Sequence, residues 1–299
     1  MSATLALRRF EYLRPGSIDE AVKLKVESGA GAFYWAGGTD IALEWKRRQR
    51  SISHCIDITR LDGLKGISAE KGRIRIGALT SLAALERARG RQPLLDVLAD
   101  LAHVMCTPQT RTIATVGGNL CNASPAADLA PPLIAFDAVV LVTGPAGERS
   151  IPVGELFAGV KRTVLNPDDL VTAVEFPLGE RKRGAYSRMG RTVVDIALVI
   201  AAVALDVGAD GRISLARIAL GSVAPTPIRV ASAEARLLGL PLDGLSGVID
   251  AVAEEAAAGV QPITDVRTTA AYRREASRVL VKRALDETVM QLRDGGTGS

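Results

Sequence analysis

The hydrophobic pattern of the first 60 residues predicts strands and a helix joined by glycine turns. A short apolar segment is followed by the turn residues Pro15 and Gly16 and then by an amphipathic run. Ser17, with Glu20 three residues later, forms the capping-box pattern of a helix start, and Gly29 is placed to close that helix. "AFYWAGG" then indicates a strand that leads into a glycine pair, and "CIDIT" alternates as a half-buried strand does.

The middle of the chain continues with alternating strands and helices. "GRIRIGA" and "DLVTAVEFP" have the period of two that predicts strands, and Pro177 ends the second. "LTSLAALERARG" and "PLLDVLADLAHVM" have the apolar spacing of helices. "DAVVLVTGPAGERSIP" is predicted as two strands around a turn, and "TIATVGGNLCNA" as a strand followed by a glycine turn.

A polar segment after Pro177, "LGERKRG", predicts a domain boundary. The first domain is predicted to comprise residues 1–177, with subdomains of about 1–60 and 61–177. The second domain is predicted over residues 184–290, followed by a tail over 291–299. The second domain is expected to contain two antiparallel strands around "GADGR", followed by helices that include "AYRREASRVLVKRALDETVMQL". This mixed order favours the α+β class over a regular βαβ array.

Composition and charge narrow the class of protein. The chain has 299 residues, of which 47% are hydrophobic and 23% charged, as is typical of a globular protein. The net charge of +4 is small and the basic residues are dispersed, which argues against nucleic-acid binding. Neither a long apolar run nor a signal-peptide core is evident, so a cytoplasmic location is expected.

The chain has few side chains of the kinds that carry out catalysis. Its three cysteines, Cys55, Cys106 and Cys121, are far apart and form no C-x-x-C pair, so no iron–sulfur or structural zinc site is indicated. His54 and His103 are its two histidines, which argues against a histidine-rich metal site or a Ser-His-Asp triad. If the protein carries out chemistry, something other than its side chains is expected to perform it.

Two glycine pairs, Gly37-Gly38 and Gly117-Gly118, each follow an apolar, β-like run. Adjacent glycines let backbone N–H groups approach a ligand, and successive N–H groups form a concave nest for phosphate oxygens. Two converging nests would suit a diphosphate. The Rossmann pattern G-x-G-x-x-G and the P-loop pattern are both absent, so the usual dinucleotide and nucleotide folds are not indicated.

Asp128, nine residues after Asn119, has two interpretations. Because phosphate would repel a carboxylate, Asp128 could contact a neutral donor of the ligand, such as a hydroxyl or a ring N–H. Alternatively, it could be an N-cap or first-turn aspartate of a helix that begins near "LAPPL".

Four motifs occur in one order along the chain: "AGGTDI", "TVGGNLCNASPAADLAPPLIAFDA", "YSRMGRTVVDIALV" and "PITDVRTTAAYRREASRVLVKRAL". In these motifs, and over nearly its whole length, the chain resembles the medium, FAD-binding subunit of the molybdenum hydroxylases. That family includes xanthine, carbon monoxide, aldehyde and N-heterocycle dehydrogenases. The resemblance implies an α+β fold: a vanillyl-alcohol-oxidase-like FAD-binding domain of two subdomains, then a smaller C-terminal α+β domain.

The resemblance also implies which residues contact FAD. Two loops are expected to hold the diphosphate: the first comprises Tyr34, Trp35, Ala36, Gly37, Gly38, Thr39, Asp40 and Ile41, and the second comprises Thr115, Val116, Gly117, Gly118 and Asn119. The "GGTD" of the first loop differs from the "GGHS" of the best-known carbon monoxide dehydrogenases.

Other expected contacts lie around the flavin ring. Asp128 matches the flavin-contacting aspartate of the family, and Val171 matches an apolar residue near the flavin. Ser187 or Arg188 matches a polar position beside the ring, and Met105 stands where some members have an aromatic residue against it. No catalytic side chain and no metal ligand is expected.

The resemblance implies an electron-transfer role. FAD, bound non-covalently, would receive electrons from 2Fe-2S clusters of a small partner and pass them to an external acceptor, while a large partner holds the molybdenum–pterin cofactor. A dimer of heterotrimers is expected, with the flavin edge near Met105, Val171 and Tyr186 toward the iron–sulfur partner. Two alternatives remain: a stand-alone FAD-dependent oxidase of related fold, and a non-enzymatic nucleotide-binding or scaffold protein.

Overall fold

The computed structural model describes residues 9–179 and 181–294. Its strands are β1 Glu11–Leu13, β2 Ala32–Trp35, β3 His54–Asp57, β4 Ile67–Glu70, β5 Arg73–Gly77, β6 Val139–Gly144, β7 Gly147–Pro152, β8 Phe157–Gly159, β9 Arg162–Thr163, β10 Leu170–Pro177, β11 Arg183–Met189, β12 Val199–Val207, β13 Ile213–Gly221 and β14 Ile228–Arg229. Its α-helices are α1 Ile18–Ser28, α2 Ile41–Lys46, α3 Leu82–Glu86, α4 Pro93–Val104, α5 Pro108–Arg111, α6 Val116–Cys121, α7 Ala130–Ala135, α8 Ala231–Ala235, α9 Ile249–Ala258 and α10 Ala270–Asp294. None of these helices is long and apolar enough to cross a membrane.

The first sheet is small and parallel, with the strand order β1-β3-β2. Helix α1 connects β1 to β2 and begins as predicted, because Ser17 Oγ accepts a hydrogen bond from the Glu20 N–H at 3.1 Å. The Glu20 carboxylate accepts from the Gly16 N–H at 2.7 Å, one residue before the position of an ideal capping box. Gly29, at φ 68°, ends the helix, so both predicted ends are confirmed.

The second sheet has five strands in the order β4-β5-β10-β6-β7. The period of two in β5 is confirmed: Ile74 and Ile76 are buried, and Arg75 lies opposite Glu175 of β10 with 2.8 Å between guanidinium and carboxylate. Strand β10 ends at Pro177, as predicted. The α+β class is confirmed, and the first sheet adds a parallel unit beside the antiparallel ones.

The third sheet, β11-β12-β13-β14, joins the two halves of the chain. Its strand β12 is buried on both faces. Val199, Val203 and their neighbours in alternation pack in the core of the C-terminal half, whereas Ile200 and Ala202 pack in the core of the N-terminal half. A strand covered on both faces has a nearly continuous apolar sequence, which explains why "VIAAVAL" shows no alternation.

Helix α10 packs on this sheet and on α9. It continues to Asp294, so residues 291–294, predicted to belong to the tail, are helical. The remaining tail residues, 295–299, lie outside the described residues.

The prediction for "TIATVGGNLCNA" is wrong. This segment forms the short helix α6, and a single bridge between Ser81 and Thr115 is the only β pairing described there. Thr115 Oγ1 accepts from the Gly118 N–H at 3.1 Å and so caps the helix. The apolar, β-branched residues before the glycines suggested a strand, but the capping hydrogen bond of Thr115 starts a helix.

Candidate functional site

A cleft lies between the first glycine loop and helix α6. It comprises a smaller cavity of about 270 Å³ and a larger one of about 520 Å³. Five residues line both cavities: Phe33, Tyr34, Ala36, Gly118 and Cys121. The two cavities therefore adjoin along one wall.

The structure places most of the predicted site residues in this cleft. Those in the smaller cavity are Tyr34, Ala36, Gly37, Gly38, Thr39, Asp40, Ile41, Met105, Thr115, Gly118 and Asn119. Gly117 and Val171 line the larger cavity. Trp35 packs against Phe10 on the other face of β2, and Val116 is buried in the core, so neither lines the cleft.

The first glycine loop connects β2 to α2 and depends on both of its glycines. A Cβ on Gly37 would lie 1.9 Å from the carbonyl oxygen of Ile113, the residue that leads toward α6. Gly38 has a φ of 70°, and a Cβ there would lie 2.7 Å from Trp35 Nε1. The loop can pass this close to its neighbours only because both positions lack a side chain.

The backbone donors of the first loop are free. Among the described residues, the N–H groups of Gly37, Gly38, Thr39 and Asp40 donate to no protein acceptor. Four successive free N–H groups beside a cavity form an arrangement suited to an anion such as phosphate.

The second glycine pair is different, because its N–H groups are already used. The Gly117 N–H donates to Ala78 O at 2.9 Å and the Gly118 N–H to Thr115 Oγ1 at 3.1 Å. The expectation of two converging nests is therefore wrong for this structure. Gly118 contributes space instead: a Cβ there would meet only Thr115 Oγ1, at 2.9 Å, on the wall shared by the two cavities.

Asn119, which lines the smaller cavity, has an unsatisfied acceptor. Its Oδ1 atom is buried and accepts no hydrogen bond within the described part of the chain. A buried acceptor without a partner costs about 1–3 kcal/mol. The position suits a ligand that carries a hydroxyl or amino donor.

A charged group at the cleft was missed in the sequence. The Arg50 guanidinium lies 4.8 Å from the Phe33 ring centroid, and Arg50 Nε lies 2.7 Å from the Glu44 carboxylate. Lys161 Nζ lies 3.6 Å from the other oxygen of Glu44. Glu44 is thus shared by two cations, Arg50 and Lys161. Arg50 and Lys161 lie outside the glycine motifs, so no sequence signal identified them.

Asp128 and Arg188, both predicted site residues, form a buried ion pair with 3.0 Å between Oδ1 and Nε. Burial raises the pKa of the Asp128 carboxyl, and the Arg188 guanidinium opposes that rise. Helix α7 has Leu129 at its N-cap position, so the helix-cap interpretation of Asp128 is wrong. The pair lies near Cys106, whose thiol has its pKa raised by burial and by the charge of Asp128. Cys106 lines the smaller cavity, so the charge of Asp128 acts on a side chain of the cleft.

Ser187 and Tyr186 lie elsewhere, in a polar cavity of about 760 Å³ between α4, β11 and α10. Met105 lines the smaller cavity of the cleft and Val171 the larger one. Met105 and Val171 thus line adjoining cavities of the cleft, whereas Tyr186 lines neither of them.

The chain matches two protein families over most of its length. Residues 8–179 match the family described as the FAD binding domain in molybdopterin dehydrogenase. Residues 184–288 match the family described as the CO dehydrogenase flavoprotein C-terminal domain.

Individual relatives agree with these families. The carbon monoxide dehydrogenase medium chain of Hydrogenophaga pseudoflava is 33% identical over 279 residues, which cover 93% of this chain and 96% of the relative. The xanthine dehydrogenase FAD-binding subunit of Escherichia coli O157:H7 is 29% identical over 93% of this chain and 95% of the relative. The solved structure of Hydrogenophaga pseudoflava carbon monoxide dehydrogenase that lacks the Mo-pyranopterin moiety matches with a TM-score of 0.89 and 33% identity, and the match covers 95% of this chain and 98% of that one. The chain therefore belongs to the family of FAD-binding medium subunits of molybdenum hydroxylase-type dehydrogenases and is a flavoprotein oxidoreductase subunit.

Proposed function

We propose that the chain is the electron-transfer subunit of a molybdenum hydroxylase. It binds one non-covalent FAD in the cleft, takes electrons from 2Fe-2S clusters of a small partner subunit and delivers them to an external acceptor. The observation that carries this proposal is the run of free N–H groups from Gly37 to Asp40, opposite the open face of Gly118 and the unsatisfied Asn119.

The residues of the cleft fit an FAD molecule. The free N–H groups of the first loop would hold its diphosphate, and the Arg50 and Lys161 cations favour the negative charge of that group. Asn119 Oδ1 would accept from a hydroxyl or amino group of the cofactor. FAD, when bound, supplies both one-electron and two-electron redox chemistry, so the chain needs no catalytic acid, nucleophile or metal ligand of its own.

Asp128 and Arg188 would have a structural role, as a fixed ion pair. Arg188 donates to the carbonyl oxygens of Val193 and Asp195 as well as to Asp128, so its guanidinium is held by three acceptors. The pair is a buried polar element held in place by these hydrogen bonds. A stand-alone oxidase would need a group free to exchange a proton beside the flavin, and Asp128 is already paired. This observation removes Asp128 as the proton-exchanging group of such an oxidase.

The partners follow from the family. Relatives are named medium chains of carbon monoxide dehydrogenase, which supports a small 2Fe-2S subunit and a large molybdenum–pterin subunit as the partners of this chain. We propose a dimer of these heterotrimers, located in the cytoplasm.

A rapid-mixing experiment tests the relay. The FAD-loaded chain is mixed anaerobically with the small subunit, whose clusters have been reduced beforehand. The visible flavin band should bleach as the cluster absorbance reports reoxidation, and it should stay unchanged when the small subunit is omitted. Rapid bleaching of this chain alone by an organic substrate of the complex would instead support the stand-alone oxidase.

A glycine substitution tests the cofactor site independently. Gly118→Val puts a branched side chain on the wall shared by both cavities, so we expect FAD affinity to fall by at least about tenfold, which corresponds to about 1.4 kcal/mol. Gly63→Val is the matched control, because a Cβ at Gly63 meets no atom within 4 Å. Full FAD occupancy in Gly118→Val would show that this wall does not contact FAD.

A separate experiment tests whether FAD is bound non-covalently. Acid precipitation of the wild-type protein should release the flavin into the supernatant, and flavin in the pellet would show a covalent bond.

A further inference from the structure

A buried arginine at the end of α5, Arg111, reaches the backbone beside the FAD cleft. The residue is 8% exposed, and its guanidinium Nη1 donates to Met105 O and to Cys106 O, each at 3.2 Å. Met105 and Cys106 both line the smaller cavity, whereas Arg111 lines neither cavity of the cleft. Arg111 therefore acts on the cleft through the backbone of two residues that line it.

Cys106 has a backbone conformation that a cysteine rarely adopts. Helix α4 ends at Val104, and Cys106 follows with a φ of 53°, in the left-handed region. Glycine is the usual residue at such a helix end, because a Cβ makes this conformation unfavourable. Cys106 nevertheless lines the cleft in this conformation, so the surrounding structure must hold it there.

The two hydrogen bonds from Arg111 are well placed to hold Cys106. The carbonyls of Met105 and Cys106 belong to the two peptide units that flank the Cα atom of Cys106. A rotation of either peptide unit would break a hydrogen bond from a buried, charged donor, which is stronger than a bond between neutral groups. The guanidinium therefore fixes the backbone on both sides of the unfavourable residue.

Arg111 is itself held by helix α3. Its Nε donates to Glu86 Oε2 at 3.0 Å, and the other carboxylate oxygen of Glu86 lies 2.8 Å from His103 Nδ1. The hydrogen bond from His103 and the charge of Arg111 lower the pKa of the Glu86 carboxyl against the opposing effect of burial. Glu86 is therefore ionised at neutral pH, and its carboxylate connects α3, α4 and α5 at one point.

Helix α5 also contacts the opposite wall of the cleft. Two residues after Arg111, the carbonyl oxygen of Ile113 is the atom that a Cβ on Gly37 would meet at 1.9 Å. The Arg111 N–H donates to Thr107 O at 2.9 Å, so its backbone is part of the single turn of α5. One short helix thus supplies the side chain that holds segment 105–106 and leads into the contact with the first glycine loop.

We propose that Arg111 is a positioning residue of the FAD site, which holds Met105 and Cys106 in the arrangement that the bound cofactor contacts. The inference rests on the proposed binding of FAD in this cleft. A residue that only stabilised the first domain would affect all parts of that domain alike. A positioning residue should instead affect segment 105–106 and the bound cofactor selectively.

Alkylation of the FAD-free chain by iodoacetamide, followed for each cysteine by mass spectrometry, measures how firmly the segment is held. Arg111→Met removes the donors and keeps a long, unbranched side chain, so we expect Cys106 to react about tenfold faster than in the wild type. Cys55 of β3 is 3% exposed and should keep its wild-type rate, because it reacts only when the domain opens. Arg111→Lys keeps the charge without the planar fork, so it should give an intermediate rate at Cys106.

Arg217→Met is the matched control. Arg217 also donates to one carboxylate, that of Asp137, and to one backbone carbonyl, that of Ala216, but it lines neither cavity of the cleft. Fluorescence titration should show FAD affinity about tenfold lower in Arg111→Met and unchanged in Arg217→Met. The visible circular dichroism of flavin at saturating FAD should change in Arg111→Met and return toward the wild-type spectrum in Arg111→Lys, because this signal depends on the groups around the cofactor.

Three results would overturn the assignment. The first is an unchanged Cys106 rate in Arg111→Met, and the second is an equal rise at Cys55, which would show general destabilisation. The third is faster reaction of Cys106 with wild-type FAD affinity and dichroism, because the segment would then not matter to the cofactor.

The wild-type chain tests the proposed function separately. Saturating FAD should slow the alkylation of Cys106, which lines the cleft. If FAD leaves this rate unchanged, the proposed cofactor site fails, whatever the rates in the FAD-free Arg111→Met variant.

Discussion

The two glycine pairs of this protein have the same composition and different roles. Gly37-Gly38 lies in an open turn between β2 and α2, and its N–H groups donate to no protein acceptor among the described residues. Gly117-Gly118 lies in the first turn of α6, where both N–H groups are used within the protein. A glycine pair next to a cleft can thus supply N–H donors to a ligand, or it can only let two backbone segments approach each other closely. The hydrogen bonds of its N–H groups distinguish the two cases.

Each pair also contains a glycine that makes a close contact with a neighbouring segment. Gly37 packs against the Ile113 carbonyl, and Gly117 packs against Ala78. These two glycines therefore position the walls of the cleft, whereas the free N–H groups of the first loop and the open face of Gly118 remain for a ligand. Substitutions can distinguish these two roles. A change at a position that holds the walls in place should alter the stability of the FAD-free protein, whereas a change at a ligand contact should alter FAD affinity.

Gly37→Ala should have the largest effect on folding. The new Cβ would lie 1.9 Å from the Ile113 carbonyl oxygen, and that atom belongs to the backbone and cannot rotate away. We expect a loss of about 3 kcal/mol in the free energy of unfolding, together with loss of FAD. Urea unfolding of the FAD-free protein measures the first effect. If Gly37→Ala unfolds at the wild-type urea concentration, the close contact is not part of the solution structure.

Gly117→Ala should destabilise the protein less. Its Cβ would lie 2.8 Å from Ala78 Cβ and 2.9 Å from Ala78 O, a contact that requires a smaller displacement. We expect a net loss of about 2 kcal/mol, because overpacking costs more than the gain in helix propensity on removing a glycine. The same urea titration applies, with Gly63→Ala as the control. A loss as large as that of Gly37→Ala would mean that α6 is as rigidly placed as the first loop.

Asn119→Leu should raise the stability of the FAD-free protein and lower its affinity for FAD. Leucine has a similar size and removes the unsatisfied Oδ1, so the FAD-free protein should gain about 1 kcal/mol in stability. FAD affinity should fall by about tenfold, because the cofactor loses an acceptor. Fluorescence titration with FAD measures the second effect. Asn122→Leu provides the contrast, since Asn122 Oδ1 already accepts from Lys161 and its removal should lower stability. Equal FAD affinity in Asn119→Leu and the wild type would exclude Asn119 as a contact.

Thr115→Val should have the smallest effect. It keeps the shape of the side chain and removes the hydroxyl that accepts from the Gly118 N–H, so α6 loses its cap at a cost of about 1 kcal/mol. The Gly118 N–H would then be a donor without this acceptor. Thermal unfolding measures the stability, and FAD titration shows whether the new donor strengthens binding. No change in stability would indicate that this capping hydrogen bond does not form in solution.

Much of the fold could be predicted from local pattern. The alternation in β5 and β10, the capping residues of α1 and the apolar spacing of α4 are each set by neighbours within a few residues. The glycine pairs and Asp128 were recognisable as candidate site residues for the same reason. Strand β12 was harder to interpret, because burial on both faces removes the alternation on which the prediction depends.

The sequence by itself determined the element types, the α+β class and the presence of two glycine-rich segments with an FAD-subunit resemblance. Only the tertiary structure decided which N–H groups are free, because that depends on whether Ala78 and Thr115 supply acceptors nearby. It also decided the pairing of Asp128 with Arg188, which are 60 residues apart. Hydrogen bonds and ion pairs between distant segments depend on how strands and helices pack, and no local pattern contains that information.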